Sequence, residues 1–500
     1  MGSKRGATGN VHAVAGCRYR GHRLRLAAVF ALALVSATAL ATTSFAQSYS
    51  SLFPGTGVVT LPGMNAVQNS MAGSINNVCP PINTSATTTA QKDLANICST
   101  MIGTSLSALG QANPLSLPSW GLDVTGTKNA LQEINGGGET TIPTSQASQL
   151  RVLQNNVIGA RLSVLRTRLL TGTASADPHQ DYQIASAGTA AGDLLLAQSS
   201  PTEATLSSGR LGLFVNALGQ FGGRDSTGSE DGYSFNNIGT VFGLDYRFTD
   251  KFVAGGAFGY TRSSTDFDVT AASAPGQYIH SNLFQGNLYG TFQATDALYF
   301  DGLATVGGGS SDSVRHIIIN STTTAPSIDR FANGSFGTQT YSAALEAGYA
   351  FPIAALTLTP TARVEYRRLA SDPFSESGAS GLDLSYGRTT SNAVLSMLGG
   401  QASYAISTSF GVLSPTVRAD WAHQYNNGNT SLNVAYSNDP TGTSSFVLLG
   451  DAPTRNYFDV GAGIAAQLQG DVSLFLNYDG IVGLSHTSYS SFTAGVRLAF

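Results

Sequence analysis

The chain has 500 residues and 57 glycines, and only 11 % of its residues are charged, against about a quarter in an ordinary soluble domain. Its formal net charge is −4, and the first 46 positions hold six of the 26 basic residues and no acidic one. With those six removed, 20 basic residues face 30 acidic ones, a balance that argues against nucleic acid as a partner.

The N-terminus carries Lys4, Arg5, Arg18, Arg20, Arg23 and Arg25, then an apolar run over 26–40, then Ser44-Phe45-Ala46 before Gln47. Charge, apolar core and a small-x-small site in that order read as a signal peptide over residues 1–46. The apolar core, about fifteen residues, is shorter than the roughly twenty that span a bilayer. Cys17 leaves with this leader, and Cys79 and Cys98 remain. Two cysteines in an exported chain favour one local disulfide, with two free thiols in a helical segment as the alternative. No histidine lies near them, so they do not form a metal site.

Residues 47–205 are rich in Ser, Thr, Ala and Asn and show no internal repeat. A helix is expected over 90–109, carrying Cys98, and a weaker one over 124–134, stopped by Gly136-Gly137-Gly138. The clearest helical period runs over 144–170, where Leu150, Leu153, Val157, Ala160, Arg161, Val164 and Leu165 share one face. Residues 171–205 read as a linker.

From Leu206 the period changes to two. Leu356, Leu358, Ala362, Val364 and Tyr366 oppose Thr357, Thr359, Thr361, Arg363 and Glu365, and Phe458 to Leu468 alternate in the same way. Twelve such segments begin near Arg210, Asn237, Lys251, Tyr278, Ala297, Gln339, Ala355, Ser391, Gly411, Asn456, Asp471 and Ser488. After the even-numbered segments the connections are tight, as at Thr249-Asp250, Thr295-Asp296 and Thr408-Ser409. After most odd-numbered segments they are long and polar, as at 308–339, 370–390 and 426–455. Outer-membrane barrels sort their loops in this way, with short periplasmic turns and long external loops. The expected fold is therefore mainly β, a twelve-stranded transmembrane antiparallel barrel over 206–500 behind a small, mostly α-helical region. The last segment ends the chain with Phe492, Val496, Leu498 and Phe500 on its apolar face.

The other faces carry Asp245, Arg247, Asp301, Glu346, Arg363, Glu365, Arg367, Arg418, Asp420, Asp459, Asp479 and Arg497. An Arg or Lys facing lipid near the midplane costs about 2–4 kcal/mol, so these charges are expected to line the lumen. Both signs occur two residues apart on one strand, whereas an ion-selective ring would favour one sign. Mixed signs suit charges that pair with one another or with an inserted segment.

Residues 206–500 resemble the translocator domain of the autotransporters, the type V secretion proteins. The resemblance is carried by Gly243-Leu244-Asp245-Tyr246-Arg247-Phe248, Gly256-Ala257-Phe258-Gly259-Tyr260, Arg363-Val364-Glu365-Tyr366-Arg367, Tyr478-Asp479-Gly480 and Ala494-Gly495-Val496-Arg497-Leu498-Ala499-Phe500. It implies a barrel with a helix threaded through its lumen. It also implies assembly by the outer-membrane insertion machinery, with the C-terminal aromatic strand as the signal that is read. The segment from Asn155 to Arg166 resembles the pore helix of such proteins, and 188–206 is a rival for that place. The pair Asn155-Asn156 is similar to a self-cleavage site of some relatives, but Asn pairs recur at Asn76, Asn236 and Asn426.

No Gly-x-Ser-x-Gly elbow and no His-Glu-x-x-His motif occurs. The histidines His179, His280, His316, His423 and His486 share no spacing, and His423 beside Trp421 reads as part of an interfacial aromatic belt. No enzyme activity and no cofactor are expected. The expected surroundings are outer-membrane lipid, periplasmic chaperones and the barrel-assembly machinery, around a monomeric barrel. Two functions remain open. One is a translocator that exports or displays a short helical passenger at the surface of a Gram-negative cell. The other is a twelve-stranded porin or small-solute channel.

Overall fold

The computed structural model describes residues 59–136, Gly159, Leu162, 210–426, 428–468 and 472–499. The leader, the linker, most of the expected 144–170 helix and Phe500 lie outside the described residues.

Twelve antiparallel strands form the barrel. In chain order they are β1 (Leu211–Arg224), β2 (Tyr233–Thr249), β3 (Phe252–Phe267), β4 (Tyr278–Gln293), β5 (Leu298–Ile319), β6 (Ile328–Tyr349), β8 (Leu356–Ser371), β11 (Thr389–Tyr404), β13 (Gly411–Gln424), β16 (Asn456–Leu468), β17 (Val472–Val482) and β18 (Thr487–Ala499). Each pairs with its neighbours in this order, and β18 returns to β1 with Gly212 opposite Ala499 and Arg224 opposite Thr487. Closure removes every open edge, which a bilayer demands because no water is there to satisfy free N–H and C=O groups. Two short strands, β7 (Phe351–Ile353) and β12 (Ile406–Thr408), tighten turns at one end of the barrel.

The alternation in sequence becomes two faces. On β2 the odd positions Val241 and Asp245 are buried, while Ile238, Phe242 and Leu244 lie on the outside. Leu345 and Leu288 are 72 % and 70 % exposed. An apolar belt of this extent is stable facing lipid and would be a liability in water. Aromatic pairs such as Tyr246–Phe248, Phe248–Phe252 and Tyr349–Phe351 mark the short-turn end, where amphipathic rings favour the membrane boundary. Trp421, His423 and Tyr425 form a similar run toward the long-loop end.

One connection departs from expectation. The stretch 308–339 reads as a loop but is mostly strand, because β5 and β6 each run for 22 residues and the connection is only 320–327. Gly308, Gly309, Ser310, Ser311, Gly334 and Ser335 carry no apolar alternation. The hairpin extends past the lipid-facing belt, so hydropathy gives no signal for it. Two other long connections build a second sheet in the order β15-β14-β10-β9, from β9 (Phe374–Ser375), β10 (Leu384–Tyr386), β14 (Ser431–Tyr436) and β15 (Phe446–Leu449).

Three helices pack onto this long-loop end: α1 (Ala66–Ser85), α2 (Thr89–Ala108) and α3 (Val124–Asn135). The sequence does not suggest α1, because Pro80-Pro81 sits inside it. Its start is fixed by a capping box, in which Gln68 N–H donates to Asn65 Oδ1 at 2.8 Å and Asn65 N–H donates to Gln68 Oε1 at 3.0 Å. Thr88 and Gln91 cap α2 in the same way. Gly136, at φ +84°, ends α3 in the left-handed conformation that glycine adopts without strain. Met71, Ile75, Val78, Met101, Ile102 and Leu131 are buried between the helices.

Candidate functional site

Two clusters hold most of the charges of the lumen. On β13, Arg418 donates from Nη1 to Asp420 at 3.0 Å and from Nη2 to Asp459 on β16 and Asp479 on β17, both at 2.9 Å. Asp420 and Asp459 lie directly opposite across the β13–β16 ladder, a like-charge pair that would repel without the guanidinium between them. Gly461, opposite Arg418, leaves the needed room, since a Cβ there would meet Asp479 Oδ1 at 2.7 Å. The second cluster centres on Arg363 of β8, which reaches Glu365 at 3.2 Å and Glu346 of β6 at 3.8 Å, while Arg367 lies 3.7 Å from Glu365. Glu346 is register partner to both Asp301 and Arg363, so a row of charge crosses β5, β6 and β8.

Asp245 accepts a 3.4 Å hydrogen bond from Tyr289. Arg247 and Arg497 lie nearer the short-turn end, on β2 and β18. On the outer face of β18, Phe492 and Val496 are exposed. Leu498 pairs with Leu213 and Val472 through its backbone, and Phe500 lies outside the described residues.

Leu162, in helical conformation, is 4 % exposed and packs with Phe214, Leu218, Val241, Val253, Tyr289 and Leu303, which are inward-facing on β1 to β5. Gly159 and Leu162 border a cavity of about 190 Å³ whose far wall includes Arg363, Arg418 and Asp479. The chain thus places α3 at the long-loop end, Leu162 inside the lumen and the start of β1 at the short-turn end, in that order.

A third polar site joins the helices to the loops. Arg315, near the tip of β5, is bidentate to Glu376, with Nη2–Oε2 at 2.6 Å and Nε–Oε1 at 3.0 Å, and the two side chains are 1 % and 2 % exposed. Its remaining donors reach the carbonyl oxygens of Glu133 (3.2 Å), Ile134 (3.4 Å) and Leu382 (2.9 Å). The guanidinium therefore satisfies all five N–H groups and sits at the C-terminal end of α3, where the helix dipole favours a cation. Glu376 also accepts from Tyr386 Oη and Leu384 N–H, each at 2.9 Å.

Nearby, Arg330 of β6 donates to Asp93 of α2 at 3.0 Å and to the Ala379 carbonyl at 3.1 Å. Burial works against the Asp93 carboxylate, but the Arg330 guanidinium and the Gly381 N–H outweigh it and hold its pKa below the usual value. Gly381 lies against α2 so closely that a Cβ would meet the Leu94 backbone N at 2.4 Å. Trp120, 1 % exposed, donates from Nε1 to the Pro326 carbonyl at 3.0 Å and pins the β5–β6 connection. Burial raises Glu133 of α3 to about pH 7; Asp231 adds to the rise, and the Ile318 N–H, Arg315 and His316 oppose it. Cys79 of α1 and Cys98 of α2 form a disulfide with Cα atoms 5.4 Å apart, at the buried face between the helices. Sequence reasoning does not single out Asp93, Glu133, Arg315, Arg330 or Glu376, because they come from five separate segments and have no shared spacing.

A family model described as the autotransporter β-domain matches residues 213–479. Outer membrane protein A of Rickettsia conorii is 25 % identical over 260 residues, which is 51 % of this chain and 12 % of that protein. Its namesake in Rickettsia rickettsii is 25 % identical over 260 residues, 51 % of this chain and 11 % of that protein. The chain therefore spans a small part of the length of these relatives. The translocator domain of the autotransporter NalP from Neisseria meningitidis shares 20 % identity at a TM-score of 0.44, covering 58 % of this chain and 89 % of that one. The β domain of the Bordetella autotransporter BrkA shares 19 % identity at a TM-score of 0.40, covering 58 % of this chain and all of that one.

Proposed function

The chain belongs to the autotransporter β-domain family and resides in the bacterial outer membrane, and from that premise we propose that its barrel exports the preceding helical segment and displays it at the cell surface. The observation that carries this reading is the path of the chain, from helices on the long-loop end through Leu162 in the lumen to the first strand at the short-turn end. A barrel whose N-terminal segment stayed in the periplasm would have no reason to seat that segment on its external loops. In this reading the segment carrying Gly159 and Leu162 occupies the lumen, beside the cavity that Arg363, Arg418 and Asp479 line. The barrel works as a conduit, with no bond-making step assigned to it. Assembly rests on the insertion machinery, which reads the C-terminal segment that carries Phe492, Val496, Leu498 and Phe500. The channel reading is less supported, since Leu162 packs where an open pore would hold water.

The test is an epitope inserted beside Leu115, an exposed residue of the α2–α3 connection. Antibody should label intact cells. Labelling that appears only after the outer membrane is permeabilised would overturn the export reading.

A further inference from the structure

We propose that the external loops form a docking surface whose occupant is residues 59–136 of the same chain, held firmly enough to stay after the covalent connection is cut. The helical segment is then a resident lid of the barrel and not a cargo for release. The inference rests on the export reading for how the segment reaches the outside, but not for how it is held there.

Three observations carry it. The contact is polar-complementary and largely buried. Arg330 of β6 pairs across it with Asp93 of α2, and Arg315 of β5, held from its own side by Glu376, donates across it to the Glu133 and Ile134 carbonyl oxygens of α3. Fit is close enough that Gly381 has no space for a methyl group against α2. The contact also spreads over three connections: Trp120 on the β5–β6 connection, the 3₁₀ turn Ser380–Leu382 under α2, and the 425–455 connection under α1. There Ser70 Oγ donates to the Val447 carbonyl at 2.7 Å and Tyr436 Oη approaches Met71 sulfur at 3.3 Å. A segment held only by its tether would need none of this. The disulfide lies within the helical unit, between α1 and α2, so it makes the lid a fixed shape without bonding it to the barrel.

The test uses the full chain with a site for a sequence-specific protease inserted between Gly138 and Glu139. That position separates the lid from the segment carrying Leu162, so retention through Leu162 cannot imitate retention by the loops. The protein is cut in detergent and passed over a sizing column, and barrel integrity is followed by heat-modifiable migration. The wild-type fragment should co-elute with the barrel. Arg315→Ala should speed its dissociation by roughly thirtyfold or more, because two α3 carbonyl oxygens lose a charged donor and Glu376 is left buried without its cation beneath the docked segment. Should Arg315→Ala fail to fold, Arg330→Ala, at a more open position, should still speed release measurably. Immediate separation of the cut wild-type fragment from an intact barrel overturns the proposal, as does retention in both variants equal to wild type. Retention in detergent together with an epitope hidden on intact cells would sink the export reading alone.

Discussion

At the scale of single residues, Arg418 holds together three carboxylates that would otherwise repel one another across the barrel wall. Period-two alternation places Arg418, Asp420, Asp459 and Asp479 on one face of their strands, because a lipid-facing charge is too costly. That Arg418 gathers three carboxylates from three strands depends on inter-strand register and on the missing side chain at Gly461, neither of which hydropathy encodes. Glu133 was invisible to the same reasoning, since a lone acid near the end of a short helix reads as solvated surface. Its burial has a sign that can be worked out. The folded value of about 7 lies above the ordinary 4.5, so the folded lid binds a proton that the unfolded one releases between those values. The Glu133 contribution to lid stability should be complete below pH 4.5, fall between pH 4.5 and 7, and be lost above, by on the order of 3 kcal/mol in total. Asp93, held low by Arg330, acts below this window and in the opposite sense. Asp383, raised by burial, acts in the same sense as Glu133, so the comparison with a variant isolates the Glu133 share. Trp120 fluorescence in a Trp421→Phe background would report urea unfolding of the lid. Glu133→Gln should flatten most of the pH dependence; an unchanged slope would refute the assignment.

At the scale of elements, the strand starts were readable to within a residue or two wherever the strand lies in the apolar belt. The period there is imposed by lipid on one side and packing on the other. Tyr233 and Ile328 start earlier than the pattern shows because those strand ends project beyond lipid. The helix α1 was hidden by Pro80-Pro81, yet Asn65 and Gln68 carry a capping box that marks its start. The α1–α2 pair is short, and its core is small for a unit that must keep its shape, which makes the cross-link between Cys79 and Cys98 consequential. A loop of about twenty residues closed in the unfolded state is worth roughly 3 kcal/mol in the loop-entropy model. Replacing both cysteines with alanine should lower the urea midpoint of the Trp120 transition and leave heat-modifiable migration of the barrel unchanged. If the barrel loses its folded migration along with the lid, the two do not unfold as separate units.

At the scale of the whole molecule, the decisive relation is between barrel width and what the chain supplies to fill it. Eight strands leave room for side chains alone, and sixteen to eighteen leave a water channel. Twelve fall between, and a helix about 10–12 Å across with its side chains is a suitable occupant. Leu162 packs on apolar wall residues from five successive strands, while Arg363, Arg418 and Asp479 line a cavity of about 190 Å³ on the opposite side. One side of the lumen is thus matched to an apolar helix face and the other to polar groups and water. This two-sided wall makes a definite statement about conductance. The chain from Gln47 to Phe500 should give small and infrequent openings in a planar bilayer, because residues 59–136 sit on the long-loop end and Leu162 packs inside the lumen. A chain beginning at Leu206 loses both, and its wall charges become hydrated, so its openings should be larger and noisier. The protein cut between Gly138 and Glu139 and stripped of its lid should fall close to the uncut chain, because Leu162 stays packed against the lumen wall. Equal and large currents from all three would mean that the lumen is open whatever precedes the first strand, and the channel reading would then displace the exporter.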